Sequence, residues 1–271
     1  MAKLLQTLIS IALLLAAANT ARSQTTSFAY DFWGDQPTEL LYQGDAHFPS
    51  DSTFLRMTKT AATGNAVGYS VGRVVYPTPV TFWEAGAQVD FETTLNFIIT
   101  PNPGDTNPAD GFTFFIGPVG LPLGFTGGSY GIFNSAGVGP SVFAAEFDIF
   151  SNPGVDPSFR HIGIDIESNV SKNVTDVGNA LLGQQATAVI SYIEATKLIT
   201  VKVTAGSQVY EVSYVFDLST ILPQQVQVGI TGATGGQVAV HDLVSWYFTA
   251  TLVHAGAATD QEEEGYIRQY V

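Results

Sequence analysis

Residues 142–168 read VFAAEFDIFSNPGVDPSFRHIGIDIES, and this stretch decides both fold and chemistry. In an extended chain alternate side chains share a face. Glu146, Asp148 and Phe150 therefore fall on one side, while Ala145, Phe147 and Ile149 fall on the other and can enter a core. Two carboxylates at neighbouring same-face positions repel each other unless a positive charge lies between them. Asn152 follows just past the strand end, Pro153-Gly154 opens a loop, Asp156 returns from it, and His161 begins the next strand. Such a concentration of oxygen and imidazole donors, in a chain only 13% charged, suits two divalent cations side by side. Asp148, Asn152, Asp156 and the carbonyl of Phe150 form an all-oxygen set fit for calcium. Glu146, Asp148, Asp156 and His161 suit a transition ion such as manganese. Asp148 and Asp156 would bridge the pair.

Some sandwich-fold glycoside hydrolases also carry acids at alternate positions of one strand, as nucleophile and acid/base. Here the third alternate position is Phe150, and carboxylates engaged by metal are not free to transfer protons. The pattern therefore reads as a binding site and not as an enzyme.

Outward from this stretch the chain continues as short β segments. Residues 89–99 alternate, mostly apolar at odd positions and mostly polar at even ones up to Asn96. Residues 198–203 and 208–215 read as a hairpin around Ala205-Gly206-Ser207, 225–230 as a further strand, and 244–252 as the closing one. With 27 Gly and 13 Pro punctuating these runs, and with no long amphipathic helix, the expectation is one all-β sandwich over residues 24–254.

The ends read differently. Lys3, the apolar run 4–18 and Ala21-Arg22-Ser23 form a secretory signal over residues 1–23, ahead of Gln24. The run is shorter than the about 20 apolar residues a membrane span needs. Residues 255–271 read as an acidic, disordered or processed tail. The expected setting is the secretory pathway, with an extracellular or vacuolar destination. Net charge is −14, and loss of Lys3 and Arg22 with the signal would make it −16. That surface repels phosphate backbones and excludes nucleic acid as a partner. There is no cysteine, and a chain of 271 residues can bury its core without disulfides. Asn169-Val170-Ser171 and Asn173-Val174-Thr175 are glycosylation acceptor sequences, at Asn169 and Asn173.

Six ordered motifs resemble the legume lectin family along essentially the whole mature chain. They are Ser27-Phe28-Ala29-Tyr30-Asp31-Phe32, Gln43-Gly44-Asp45-Ala46, and Val71-Gly72-Arg73-Val74-Val75-Tyr76 with Pro79-Val80 and Trp83. Ala109-Asp110-Gly111-Phe112, the 146–165 metal signature and His241-Asp242-Leu243-Val244-Ser245-Trp246 complete the set. The resemblance implies a jelly-roll sandwich with a flat back sheet, a curved front sheet, and one sugar site beside a Ca2+–Mn2+ pair. It implies the ligand sets above, with Ser168 holding a manganese-bound water. It implies that Asp110 accepts hydrogen bonds from two sugar hydroxyls after a cis Ala109–Asp110 peptide, and that Asn152 donates one. Gly128, or failing it Gly127, would supply a backbone N–H, and Phe150 a ring for the sugar's apolar face. Residues 232–240, GATGGQVAV, form a short specificity loop in which Gly236 and Gln237 would touch the sugar. Within the family such a short loop resembles that of mannose/glucose binders on N-glycans. Assembly into a homodimer or homotetramer through a sheet edge is implied too. Two other readings stay open: a galactose/GalNAc lectin, and a defence or storage protein of the same fold that binds another protein such as a digestive hydrolase.

Overall fold

A computed structural model describes residues 24–33, 36–50 and 53–254. The signal peptide and the acidic tail expected at the two ends lie outside the described residues. Strands dominate: β1 (Thr25–Asp31), β2 (Leu41–Gly44), β3 (Leu55–Arg56), β4 (Val71–Val75), β5 (Val80–Thr81), β6 (Trp83–Glu84), β7 (Ala87–Pro101) and β8 (Gly111–Pro118). They continue as β9 (Val138–Asp148), β10 (His161–Ser168), β11 (Asn173–Asp176), β12 (Gln185–Ile193), β13 (Leu198–Ala205), β14 (Gln208–Val215), β15 (Gln225–Ala233) and β16 (Ala239–His254). Among the described residues the helices are single 3-10 turns, one of them Gly127–Ser129.

Two antiparallel sheets form a jelly-roll sandwich. One runs β1-β16-β7-β12-β13-β14, with β3 and β6 at its flank; the other runs β11-β10-β9-β8-β15-β4-β2, with β5 beside β15. The alternation of residues 89–99 is realised in full, since every odd position of β7 from 87 to 99 is buried. The expected hairpin forms with Ala205 paired to Gln208, so Ala205 belongs to the strand and the turn is Gly206-Ser207. The expected strands at 225–230 and 244–252 extend to Ala233 and back to Ala239. Ala145, Phe147 and Ile149 enter the main core between the sheets, with Phe97, Phe112 and Trp246.

A second, smaller core lies on the other side of the β9 sheet. Val75, Phe115, Tyr130, Ile132, Phe133 and Ala144 pack there, under the segment that connects β8 to β9. Arg73 of β4 fastens that segment. Its guanidinium donates to the carbonyls of Leu121 (2.6 Å) and Pro122 (3.1 Å), and its Nε donates to Gln43 Oε1 (2.5 Å). The glycine-rich turn thus hangs from a buried side chain.

His241 of β16 is fully buried, with Nδ1 3.3 Å from Thr58 Oγ1. Burial depresses its pKa to about 3, against a smaller opposing effect of the Ala239 backbone. The unfolded chain takes up this proton below an ordinary value of about 6.5, the folded chain only near 3. Stability from His241 is therefore complete above pH 6.5 and declines as pH falls from 6.5 to 3. Two pH units into that window the loss is ~3 kcal/mol. Urea titrations of the wild type and His241→Gln, at neutral pH and near pH 4.5, check this. The variant should show the shallower fall.

A buried acidic cluster beside a glycine-lined turn

Four chain segments meet at one end of the β9 sheet. Asp148, the last residue of β9, pairs with His161 at the start of β10 and with Gly111 at the start of β8. Gly111 also pairs with Ala233 at the end of β15. Asp110 stands immediately before Gly111. Its carbonyl accepts the N–H of Ile149 (2.9 Å) and its own N–H donates to Ala233 O (3.0 Å), so both neighbouring strands hold it. The Ala109–Asp110 peptide is cis. A Cβ on Gly111 would lie 2.2 Å from Phe147 O, so only glycine allows this approach.

Glu146, Asp148 and His161 are each 1% exposed, and one ligand atom of each lies within 4.8 Å of the others. His161 Nε2 and Glu146 Oε1 are 2.8 Å apart. Asp156 comes back from the loop as expected and accepts from Asn152 N (2.7 Å) and Asn152 Nδ2 (2.9 Å). The N–H of Phe150 donates to Asp148 Oδ1 (2.6 Å), and Phe150 is half-buried. Asp165, one strand step beyond Gly163, adds a further fully buried carboxylate, and the Ser171 hydroxyl lies within hydrogen-bond distance of both Asp165 (2.7 Å) and Glu146, with one proton to share between them.

The electrostatics are those of a site that needs positive charge. Burial raises Asp148 well above the usual carboxylate range, and the charges of Glu146 and Asp156 raise it further. Burial and then Glu146 do the same to Asp165. Asp156 is raised by burial, in opposition to its bonds from Asn152. For His161 burial works against protonation, but the adjoining Glu146 outweighs it and the pKa rises. Among the described residues no lysine or arginine pairs with any of these carboxylates. Glu146 Oε2 and Asp165 Oδ2 are buried without a hydrogen-bond partner. A buried group left so is costly unless something satisfies it, and a divalent cation fits this donor set.

Asp110 opens toward the turns. It is 3% exposed, and its Oδ2 has no hydrogen-bond partner. Burial pushes its pKa up to about 7, the N–H of Gly235 lowers it, and the Asp156 charge adds to the rise. A Cβ on Gly235 would lie 3.1 Å from Asp110 Oδ2 and 3.4 Å from Gly127 Cα, so three segments converge without side chains between them. Gly127 N donates to Thr234 O (3.2 Å). Gly128 lies against Asn152, whose Nδ2 would be 2.9 Å from a Cβ there.

The structure therefore brings together Asp110, Gly128, Asn152, Asp156 and the Glu146–Asp148–His161 group. Gly236 and Gln237 are exposed in the same β15–β16 turn, but the glycine against Asp110 is Gly235. Ser168 Oγ accepts the N–H of Val170 (3.1 Å), whereas the hydroxyl at Glu146 belongs to Ser171. Asn169 Nδ2 donates to Gly128 O (3.0 Å), while Asn173 is exposed and donates to Ser213 O (2.9 Å). Of the unforeseen residues only Asp165 carried a signal: strand alternation from His161 puts it on the same face. Gly235 and Ser171 enter from turns whose paths alternation does not encode.

Comparison with known proteins agrees with this geometry. The legume lectin domain model matches residues 25–264. Agglutinin-2 of Cladrastis kentukea is 37% identical, over 92% of this chain and 88% of its own. The solved structure of basic winged bean lectin with Tn-antigen superposes with a TM-score of 0.78 at 34% identity, covering 84% of this chain and 99% of that one. Winged bean acidic lectin complexed with methyl-α-D-galactose gives 0.78 at 36% identity, covering 85% and 100%. The chain belongs to the legume lectin family, whose members bind carbohydrate and are not catalysts.

Proposed function

We propose that this protein is a calcium- and manganese-dependent lectin for terminal mannose or glucose, most naturally on N-glycans. The observation that carries the reading is the buried Asp110 carboxylate, with one free oxygen, between a glycine-lined turn and an acidic cluster. Glu146, Asp148, Asp156 and His161 would hold manganese, with Ser168 holding one of its waters. Asp148, Asn152, Asp156 and the Phe150 carbonyl would hold calcium. Bound cations supply the charge that keeps these carboxylates ionised and their loop closed. Asp110 accepts two sugar hydroxyls, Asn152 and the Gly128 N–H donate, Phe150 covers an apolar sugar face, and Gly236 and Gln237 border the site. The support for mannose/glucose is the brevity of the connection between Ala233 and Ala239, closed by Gly235 against Asp110.

A second reading, galactose or GalNAc, is favoured by the sugars named with the two winged bean structures. A glycan array, run with both cations and again in EDTA, separates the readings. EDTA-sensitive binding to mannose-terminated glycans supports the first, and EDTA-sensitive binding to galactosides replaces it with the second. A folded protein silent on the array would turn the search to protein partners such as digestive hydrolases.

The same proposal includes residues 1–23 as a secretory signal, an extracellular or vacuolar destination, glycans at Asn169 or Asn173, and a homodimer or homotetramer. Two or more weak sites in one assembly would raise avidity. β1, an edge strand, offers a row of backbone groups for such pairing. Among the described residues no helix is long and apolar enough to cross a membrane.

A further inference from the structure

Tyr69 is 75% exposed, more than any other large apolar or aromatic side chain among the described residues. It also adopts a φ of +54°, a left-handed backbone that side chains other than glycine's rarely take. Such a conformation persists only where the surroundings over-determine it, and it gathers at ligand contacts. The surroundings here do so. Tyr69 N donates to Gly235 O (2.9 Å), and Ser70 N donates to Thr234 Oγ1 (3.0 Å). The Ser70 hydroxyl donates to Asp45 Oδ2 (2.8 Å), which gives the acid of the Gln43–Ala46 motif its place in the molecule. These bonds hold residues 69–70 against the β15–β16 turn, and their result is an aromatic ring standing in solvent.

The Tyr69 hydroxyl lies over the glycine that follows the one facing Asp110. Gly235 faces the Asp110 carboxylate, and a Cβ on Gly236 would lie 3.6 Å from Tyr69 Oη. The two glycines leave an open floor from the carboxylate to the phenol, one residue step long. A monosaccharide on Asp110 fills the inner end of that floor. The outer end, at Tyr69, is where its glycosidically linked neighbour would lie. A tyrosine offers that neighbour a flat apolar face for its C–H groups and a hydroxyl for hydrogen bonding, with little side-chain freedom to lose.

We propose that Tyr69 forms a second carbohydrate subsite, taking the saccharide residue linked to the one held at Asp110. The proposal rests on the reading of Asp110 as the primary sugar site. It gives the protein a preference for oligosaccharides over monosaccharides that does not involve the metal residues.

Calorimetric titration of the cation-loaded protein tests it, with methyl α-mannoside and an α-linked mannotriose as probes. If the array selects galactosides, methyl α-galactoside and a galactose-terminated disaccharide replace them. Tyr69→Ala should leave the monosaccharide affinity within about twofold and cut the oligosaccharide advantage about fivefold or more. Tyr69→Gly should do the same with no lowering of the thermal midpoint, since glycine accepts the left-handed backbone without strain. An oligosaccharide advantage unchanged in both variants, or lost in step with monosaccharide binding, would overturn the subsite and leave the Asp110 site standing. A wild type that binds neither probe pair would overturn both.

Discussion

Asp110→Asn should fold like the wild type and lose sugar binding. The change is nearly isosteric, and the groups that fix the position, Ile149 N and Ala233 O, bond only to the Asp110 backbone. On the proposed reading of the site, what disappears is a charged acceptor for two sugar hydroxyls. Hydrogen bonds to a charged group are worth about 1.5–3 kcal/mol each, so affinity should fall ~100-fold or more. Retention on immobilised mannose or galactose, together with a denaturation curve, reads out binding and fold separately. The substitution also removes a carboxylate whose pKa burial pushes up to about 7, so the variant should be no less stable at neutral pH. Undiminished binding by this variant would place the sugar site elsewhere.

The second large effect should come from cation removal, and its size should depend on pH. Without metal, Asp148 and Asp165 have pKa values raised well above 3.8, and Asp156 is raised as well. Between the ordinary carboxylate pKa and these raised values, the folded chain holds protons that the unfolded chain has released. The metal-free protein therefore loses stability as pH rises through that interval. Cations act in the opposite direction, because they bind the deprotonated ligands and only the folded site, so their contribution grows with pH. A ligand at a thousand times its Kd adds ~4 kcal/mol, roughly 10 °C in a domain of this size. Scanning calorimetry with cations and with EDTA should give midpoints that separate as pH is raised from about 5 to 8. Asp148→Asn should respond far less to EDTA at any pH. Equal midpoints at neutral pH for the wild type would remove the cations from the account.

Strand periodicity made much of this legible before any coordinates. Alternation at 89–99 assigned faces that burial confirms, alternation at 145–149 assigned Ala145, Phe147 and Ile149 to the core they enter, and the same rule could have assigned Asp165 as well. The ligand cluster was legible because most of it lies within 16 residues, from Glu146 to His161. That Gly235 is the glycine facing Asp110 was not legible, because a turn's path depends on what it packs against and not on its own pattern. Ser171 and Tyr69 were missed for the same reason. One approaches the cluster from a turn, and the other is placed by bonds to residues 45, 234 and 235, far apart in sequence. The small core under the β8–β9 connection was likewise not visible, since it depends on Arg73 capturing carbonyls about 50 residues downstream.

The placement of Asp110 between Ile149 and Ala233 has a practical corollary. Its carboxylate reaches its position only after β8, β9 and β15 have paired and residues 69–70 have joined the 234–235 turn. A chain arrested with any one of these steps incomplete has no site to present. A sugar-bearing resin should therefore act as a proofreader during purification, retaining finished molecules and passing near-native ones that spectroscopy counts as folded.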